Sequence, residues 1–158
     1  MSEANWLDQR ELDAWRAFLL ASTLIERQVE QQLKDDAELS HQQYEVLSRL
    51  ADAPGGELRM TVLAEVARTS KSGLTYQVTQ LEKAGLVRRH SSAGDDRGVV
   101  ASITGEGLEK VRSAAPGHVN LVRKLFLDGL TDEEFDGFST GLNALLTWLN
   151  GSASGPCS

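Results

Sequence analysis

The chain has 158 residues, 41% hydrophobic and 25% charged with only 3 prolines and a net charge of −7, amounts that fit one globular domain with or without an oligomerisation element and exclude a disordered or fibrous chain. Its longest unbroken apolar run, residues 17–21, is 5 residues long against the roughly 20 that cross a bilayer, which excludes a membrane protein. The single cysteine, Cys157, excludes an intrachain disulfide and a cysteine-ligated metal site, and Glu3, Asp8 and Glu11 stand where a leader would be basic and apolar, so the expected compartment is a reducing cytoplasm.

In chain order, residues 12–33 read as one long helix, with Leu12, Trp15, Leu19, Ile25, Val29 and Leu33 as an apolar stripe that no Gly or Pro interrupts. A second helix should begin at Ser40, where Ser40 and Gln43 form a capping box and Leu39 and Tyr44 occupy the staple positions, and it should end before Pro54-Gly55-Gly56. A short helix follows, with Thr61 expected as N-cap and Val62, Leu63 and Val66 as its apolar face. Ser70 is a good N-cap for a helix to about Ala84, stopped by Gly85. The period then changes. Residues 86–91 and 99–103 are β-prone runs separated by the turn-rich residues 92–98. Thr104 should cap a helix to about Leu127, kinked or broken at Pro116-Gly117. A last helix should run to about Leu149 from a second capping box, Thr131 with Glu134, stapled by Leu130 and Phe135.

This order predicts a mainly α chain with a small β-hairpin wing (α+β), a winged helix-turn-helix at mid-chain. The flanking helices are too long and too apolar for so small a module to cover, and the simplest partner for them is a second copy. The expected division is 38–104 for the winged DNA-binding domain, 10–36 and 105–150 for a helical dimerisation region, and 1–9 and 151–158 for flexible termini.

The charge is unevenly spread: residues 68–97 carry a net +3, against −7 for 1–67 and −3 for 98–158. A basic patch on an acidic body suits a phosphate backbone, although an ordinary solvated surface gives the same count. The helix over 70–84 separates the two. At 100° per residue Leu74, Val78 and Leu81 share one arc, and Ser72, Tyr76 and Thr79, flanked by Thr75 and Gln80, share the opposite one. That outer face is polar, short and uncharged, as side chains that read base edges are; a solvated face more usually carries Glu and Lys. Ser70 and Lys71 at the helix N-terminus favour phosphate contact. Arg88, Arg89 and His90 on the first β-run lie beside it in sequence, with His90 read as a strand residue next to phosphate. Asp95 and Arg97, between Gly94 and Gly98, fit a wing tip whose arginine enters the minor groove with its guanidinium held by the carboxylate, and they fit plain turn residues as well.

Leu58-Arg59-Met60-Thr61, Leu63-Ala64, Ser70-Lys71-Ser72, Thr75, residues 81–89, Asp95-x-Arg97 and Thr104-x-x-Gly107 resemble the pattern of MarR-family winged-helix regulators over about residues 10–150. The resemblance implies a homodimeric, triangular DNA-binding protein, usually a repressor, acting on a pseudo-palindromic double-stranded operator. It implies that the helix over 70–84 reads the major groove and that Arg97, steadied by Asp95, reaches the minor groove. It also implies release by a small phenolic or lipophilic effector or by oxidation. Residues near the junction of the first two helices, Trp15, Phe18, Ser22, His41 and Tyr44, are candidates to line an effector site, while a dimer core for Trp15 and Phe18 and a helix staple for Tyr44 are the favoured readings. Two departures stand out. Gly73 replaces a common Ser or Thr inside the recognition helix, and the reactive cysteine of oxidation-sensing members is missing near the start of the first helix, which argues against a peroxide sensor.

An enzyme is the first rival, and nothing supports it. His41, His90 and His118 are far apart with no metal-ligand spacing, and no Gly-x-Ser-x-Gly, P-loop or dinucleotide fingerprint occurs, so neither a catalytic residue nor a metal nor a cofactor is assigned. The alternative is a winged helix that binds a protein partner, which an acidic or strongly apolar outer face on residues 70–84 would favour.

Overall fold

The computed structural model describes residues 4–92 and 98–152. Asp95 and Arg97 in the wing, and Cys157, lie outside the described residues. The order is α1 (Gln9–Ala37), α2 (His41–Asp52), a 3-10 turn (Pro54–Gly56), β1 (Glu57–Arg59), α3 (Met60–Val66), α4 (Lys71–Lys83), β2 (Val87–Ser91), β3 (Val99–Ile103), α5 (Gly105–Val122), a π turn (Arg123–Leu127) and α6 (Asp132–Ser152). Two compact units result, Met1–Val119 and Asn120–Ser158.

In the first unit, α1 starts earlier than its apolar stripe because Asp8 caps it: the Asp8 carboxylate accepts from the Glu11 N–H, and Glu11 accepts from the Asp8 N–H. α2 opens on the expected Ser40–Gln43 box. The core is built from Val46, Leu47 and Leu50 of α2, Leu63 of α3, Leu74, Val78 and Leu81 of α4, and Val87 and Ala101 of the sheet. α1 contributes only its C-terminal third, Val29, Leu33 and Ala37; Trp15, Phe18, Leu19, Leu20 and Leu24 on its earlier turns are exposed.

Three expectations are corrected. The wing is a three-stranded antiparallel sheet of order β1-β3-β2, in which Glu57 pairs with Ser102 and Arg59 with Val100, so the hairpin has an unforeseen edge strand. That strand runs straight into α3, whose N-cap is Arg59 in extended backbone with no side-chain cap; Thr61 lies inside the helix. Of the kink or break expected at Pro116-Gly117, the break does not occur: α5 continues to Val122 before the π turn. Tertiary packing overrides the local signal there: a Cβ on Gly117 would lie 2.9 Å from Asp36 Oδ2 and 3.1 Å from Gln32 Nε2 of α1, so the glycine lets α5 pass close to α1. Beside it Ala114 is buried.

In the second unit the expected Thr131–Glu134 box caps α6: Thr131 Oγ1 accepts from the Glu134 N–H, and the Glu134 carboxylate accepts from the Thr131 N–H. Phe126 packs against Phe135 and Phe138 at ring separations of 6.4 and 5.7 Å. Leu145, Leu146, Trp148 and Leu149 on α6 are exposed.

Candidate nucleic-acid interface

The candidate surface is built on α4. Ser70 Oγ accepts from the Gly73 N–H at 3.0 Å, which fixes where the helix starts. A Cβ on Gly73 would lie 2.8 Å from Thr69 Oγ1 and 3.0 Å from the capping Ser70 Oγ, so the glycine leaves room for these two hydroxyls. Leu74, Val78 and Leu81 turn into the core, and Lys71, Ser72, Thr75 and Tyr76 are exposed, Tyr76 by 62%. Thr79 and Gln80 are half-buried. Lys83, which the sequence reading passed over, falls on the same helical face and is exposed.

The threonine chemistry is more specific than the sequence suggests. Thr75 Oγ1 donates to the Lys71 carbonyl at 2.9 Å, and Thr79 Oγ1 donates to the Thr75 carbonyl at 2.7 Å. With their protons used inside the helix, these hydroxyls offer outward a lone pair and a methyl group, which suit an exocyclic amine donor or the thymine methyl. Gln77, on the flank, donates to Gln42 Oε1 at 2.9 Å and so ties α4 to α2.

On β2 the period of two separates residues that look equivalent in sequence. Arg88 and His90 lie on the face shared with Ser102, Val100 and Glu57, and Arg88 is exposed. Arg89 lies on the other face against α4, where its guanidinium bonds Glu82 Oε1 at 3.0 Å and its N–H bonds Glu82 Oε2 at 3.0 Å. The side-chain bond first, then the backbone bond, hold the Glu82 carboxyl below its usual range. His90 is engaged too: its Nε2 lies 2.8 Å from Ser102 Oγ and 3.4 Å from Glu57 Oε2. Arg59, at the far edge of the sheet, donates to Ser92 Oγ at 3.3 Å and was not singled out by sequence reasoning.

The five candidate effector residues divide into two groups. Trp15 and Phe18 stack at 6.3 Å on the exposed part of α1, and Ser22 Oγ donates to the Phe18 carbonyl. His41 bonds Glu26 through Nδ1 at 2.8 Å and lines a concavity of about 270 Å³ with Glu26, Gln42, Glu45, Ala67 and Arg68. Ser22 lines a separate one with Thr23, Glu26, Arg27 and Glu30. Tyr44 is buried against His118, 4.7 Å away, and His118 is 6.1 Å from His41, so two histidines distant in sequence meet between α2 and α5. No cluster of three metal-ligating side chains occurs among the described residues.

His118 Nδ1 is buried with no hydrogen-bond partner among the described residues, and burial, then the neighbouring His41, push its pKa below the ordinary 6.5 despite the opposing Glu45. The unfolded chain therefore takes up this proton at a higher pH than the folded one, so this contribution to stability is full above 6.5 and is lost as the pH falls through the folded value. His118→Phe should lower the dependence of the urea midpoint on pH between about 7.5 and 5. An unchanged slope would assign the dependence to other groups.

Residues 38–98 match the sequence model described as MarR family. Over 101 residues, 64% of this chain and 73% of the relative, the sequence is 37% identical to the transcriptional regulator HosA of Escherichia coli. Two solved structures from Streptomyces coelicolor are similar along nearly their whole length. Sco3205, a MarR family transcriptional regulator in complex with DNA, matches at 40% identity and TM-score 0.88 over 91% of this chain and 94% of its own. AbsC, a MarR family transcriptional regulator, matches at 37% identity and TM-score 0.89 over 94% of this chain and 99% of its own.

Proposed function

This chain belongs to the MarR family of transcriptional regulators, and from that premise we propose that it binds double-stranded DNA as a homodimer, laying α4 of each copy into successive major grooves of an inverted repeat. The observation that carries this reading is the outer face of α4, where Ser72, Thr75, Tyr76 and Thr79 present acceptors, methyl groups and one ring, with no carboxylate among them. Gln80 flanks that face and offers an amide to an adenine edge. Ser70 and Lys71 at the helix start and Arg88 on the sheet serve phosphates. His90 sits on the same sheet face as Arg88, and Arg89, bonded to Glu82, fixes β2 against α4. Asp95 and Arg97 are assigned to the minor groove by sequence alone. That Sco3205 was crystallised with DNA supports the reading.

Self-association is proposed from the apolar side chains each unit leaves in solvent. In the first unit Trp15 is 53% exposed, with Phe18, Leu19 and Leu20 near it in sequence; in the second, Trp148 is 71% exposed beside Leu145 and Leu149. Patches of this kind mark interaction surfaces. The helical segments 10–36 and 105–150 would then be the dimerisation region and 38–104 the DNA-binding domain. We take the protein for a cytoplasmic repressor, released by a small phenolic or lipophilic effector; among the described residues no helix is long and apolar enough to cross a membrane.

The test is selection from a random duplex pool at about 0.15 M salt, a strength at which non-specific phosphate contact is weak. Enrichment of one sequence family is expected. Retention of no duplex, or of all duplexes alike, would contradict the proposal and favour a protein partner for the α4 face.

A further inference from the structure

The stem of the β2–β3 hairpin holds a glycine, Gly98, that closely approaches a side chain from another strand. A side chain there would crowd Arg59. A Cβ at residue 98 would lie 3.0 Å from Arg59 Nη1 and 3.5 Å from its Cζ, and 3.2 Å from Ser92 Cβ. Arg59 also donates to Ser92 Oγ at 3.3 Å, and the Ser92 N–H bonds the Gly98 carbonyl at 2.8 Å. One guanidinium, carried on edge strand β1 and placed by the pairing of Arg59 with Val100, thus lies against both Ser92 and Gly98.

We infer that Arg59 is a positioning residue for the wing: its guanidinium clamps Ser92 and Gly98 together, and Gly98 is glycine so that the guanidinium has room. The inference rests on the DNA-binding reading for its consequence but not for its geometry. A planar, permanently charged group suits the task, since it lies flat on a backbone segment and keeps donors for a hydroxyl.

Two single variants and their combination test it in the full chain. Gly98→Ala leaves every charge in place and removes the room; Arg59→Ala removes the guanidinium and leaves the room. Each should speed hydrogen exchange of the Ser92 amide by about tenfold and weaken binding to the selected duplex by a similar factor. In the Arg59→Ala background Gly98→Ala should add nothing, because residues sharing one contact are not additive. Additive effects, or Ser92 exchange unchanged in Arg59→Ala, would overturn the clamp. Duplex affinity that falls in Arg59→Ala but is unchanged in Gly98→Ala would show that Arg59 acts by charge alone and overturn it as well. If the wild type retained no duplex, the DNA reading would fail while the exchange measurement still decided the clamp.

Discussion

Gly107→Ala is expected to destabilise the fold by about 2–4 kcal/mol, the sum of overpacking against a rigid neighbour and the strain on a hydrogen bond there. Helix propensity alone predicts the opposite sign, since alanine is better than glycine in a helix by about 1 kcal/mol. The difference lies in what Gly107 meets. A Cβ would collide with the Leu86 carbonyl oxygen and lie 2.7 Å from Ile103 Cγ1. The Leu86 carbonyl cannot retreat freely, because it accepts from the Thr104 N–H at 3.0 Å. Thr104 is itself held, its hydroxyl donating to the Gly85 carbonyl at 2.7 Å and accepting from the Gly107 N–H at 3.1 Å. Gly105, two residues earlier, has nothing within 4 Å of its Cβ position, and Gly105→Ala is the control. Urea denaturation of both variants checks this; a Gly107→Ala midpoint at or above wild type would mean that α5 can move off the sheet without loss.

Ser72→Glu should separate folding from recognition. Ser72 is exposed on the first turn of α4, where a carboxylate interacts favourably with the free N–H groups by about 0.3–1 kcal/mol. Melting should therefore be unchanged or slightly higher. Affinity for the selected duplex should drop by on the order of a hundredfold, because a base contact worth about 1–3 kcal/mol is lost and a carboxylate is set among phosphates. Thermal melting by circular dichroism and a binding isotherm, at the same salt, read the two effects. Binding within about threefold of wild type would place the N-terminal turn of α4 away from the duplex.

Local signals made much of this fold legible. The capping boxes at Ser40 and Thr131 and the cap at Ser70 set three helix starts because side chain and backbone satisfy each other within four residues. The equivalent box at Asp8 and Glu11 is in the sequence too, but it precedes the first apolar residue of the stripe, so the periodicity does not point to it. Long-range features were not legible. β1 is three residues whose partners lie more than 40 positions away, so no local alternation marks it. The same holds for His41 and His118, which meet only because α5 passes close to α1 and α2 at Gly117 and Tyr44. On the candidate interface, the outer face of α4 followed from the helical period, while Arg88 and Arg89 looked alike until the pairing register put them on opposite faces. Arg59 could have been suspected from its place beside a turn-to-helix junction, but its contact with Gly98 joins residues 39 positions apart and needed coordinates.

The central claim is that two copies of α4 read one inverted repeat. Analytical ultracentrifugation of the chain on the selected duplex, with a hydroxyl-radical footprint of the same complex, tests it most directly. The account predicts two chains per duplex and protection centred on two half-sites about 10 base pairs apart, one turn of the double helix. A single chain bound to one asymmetric half-site would contradict it.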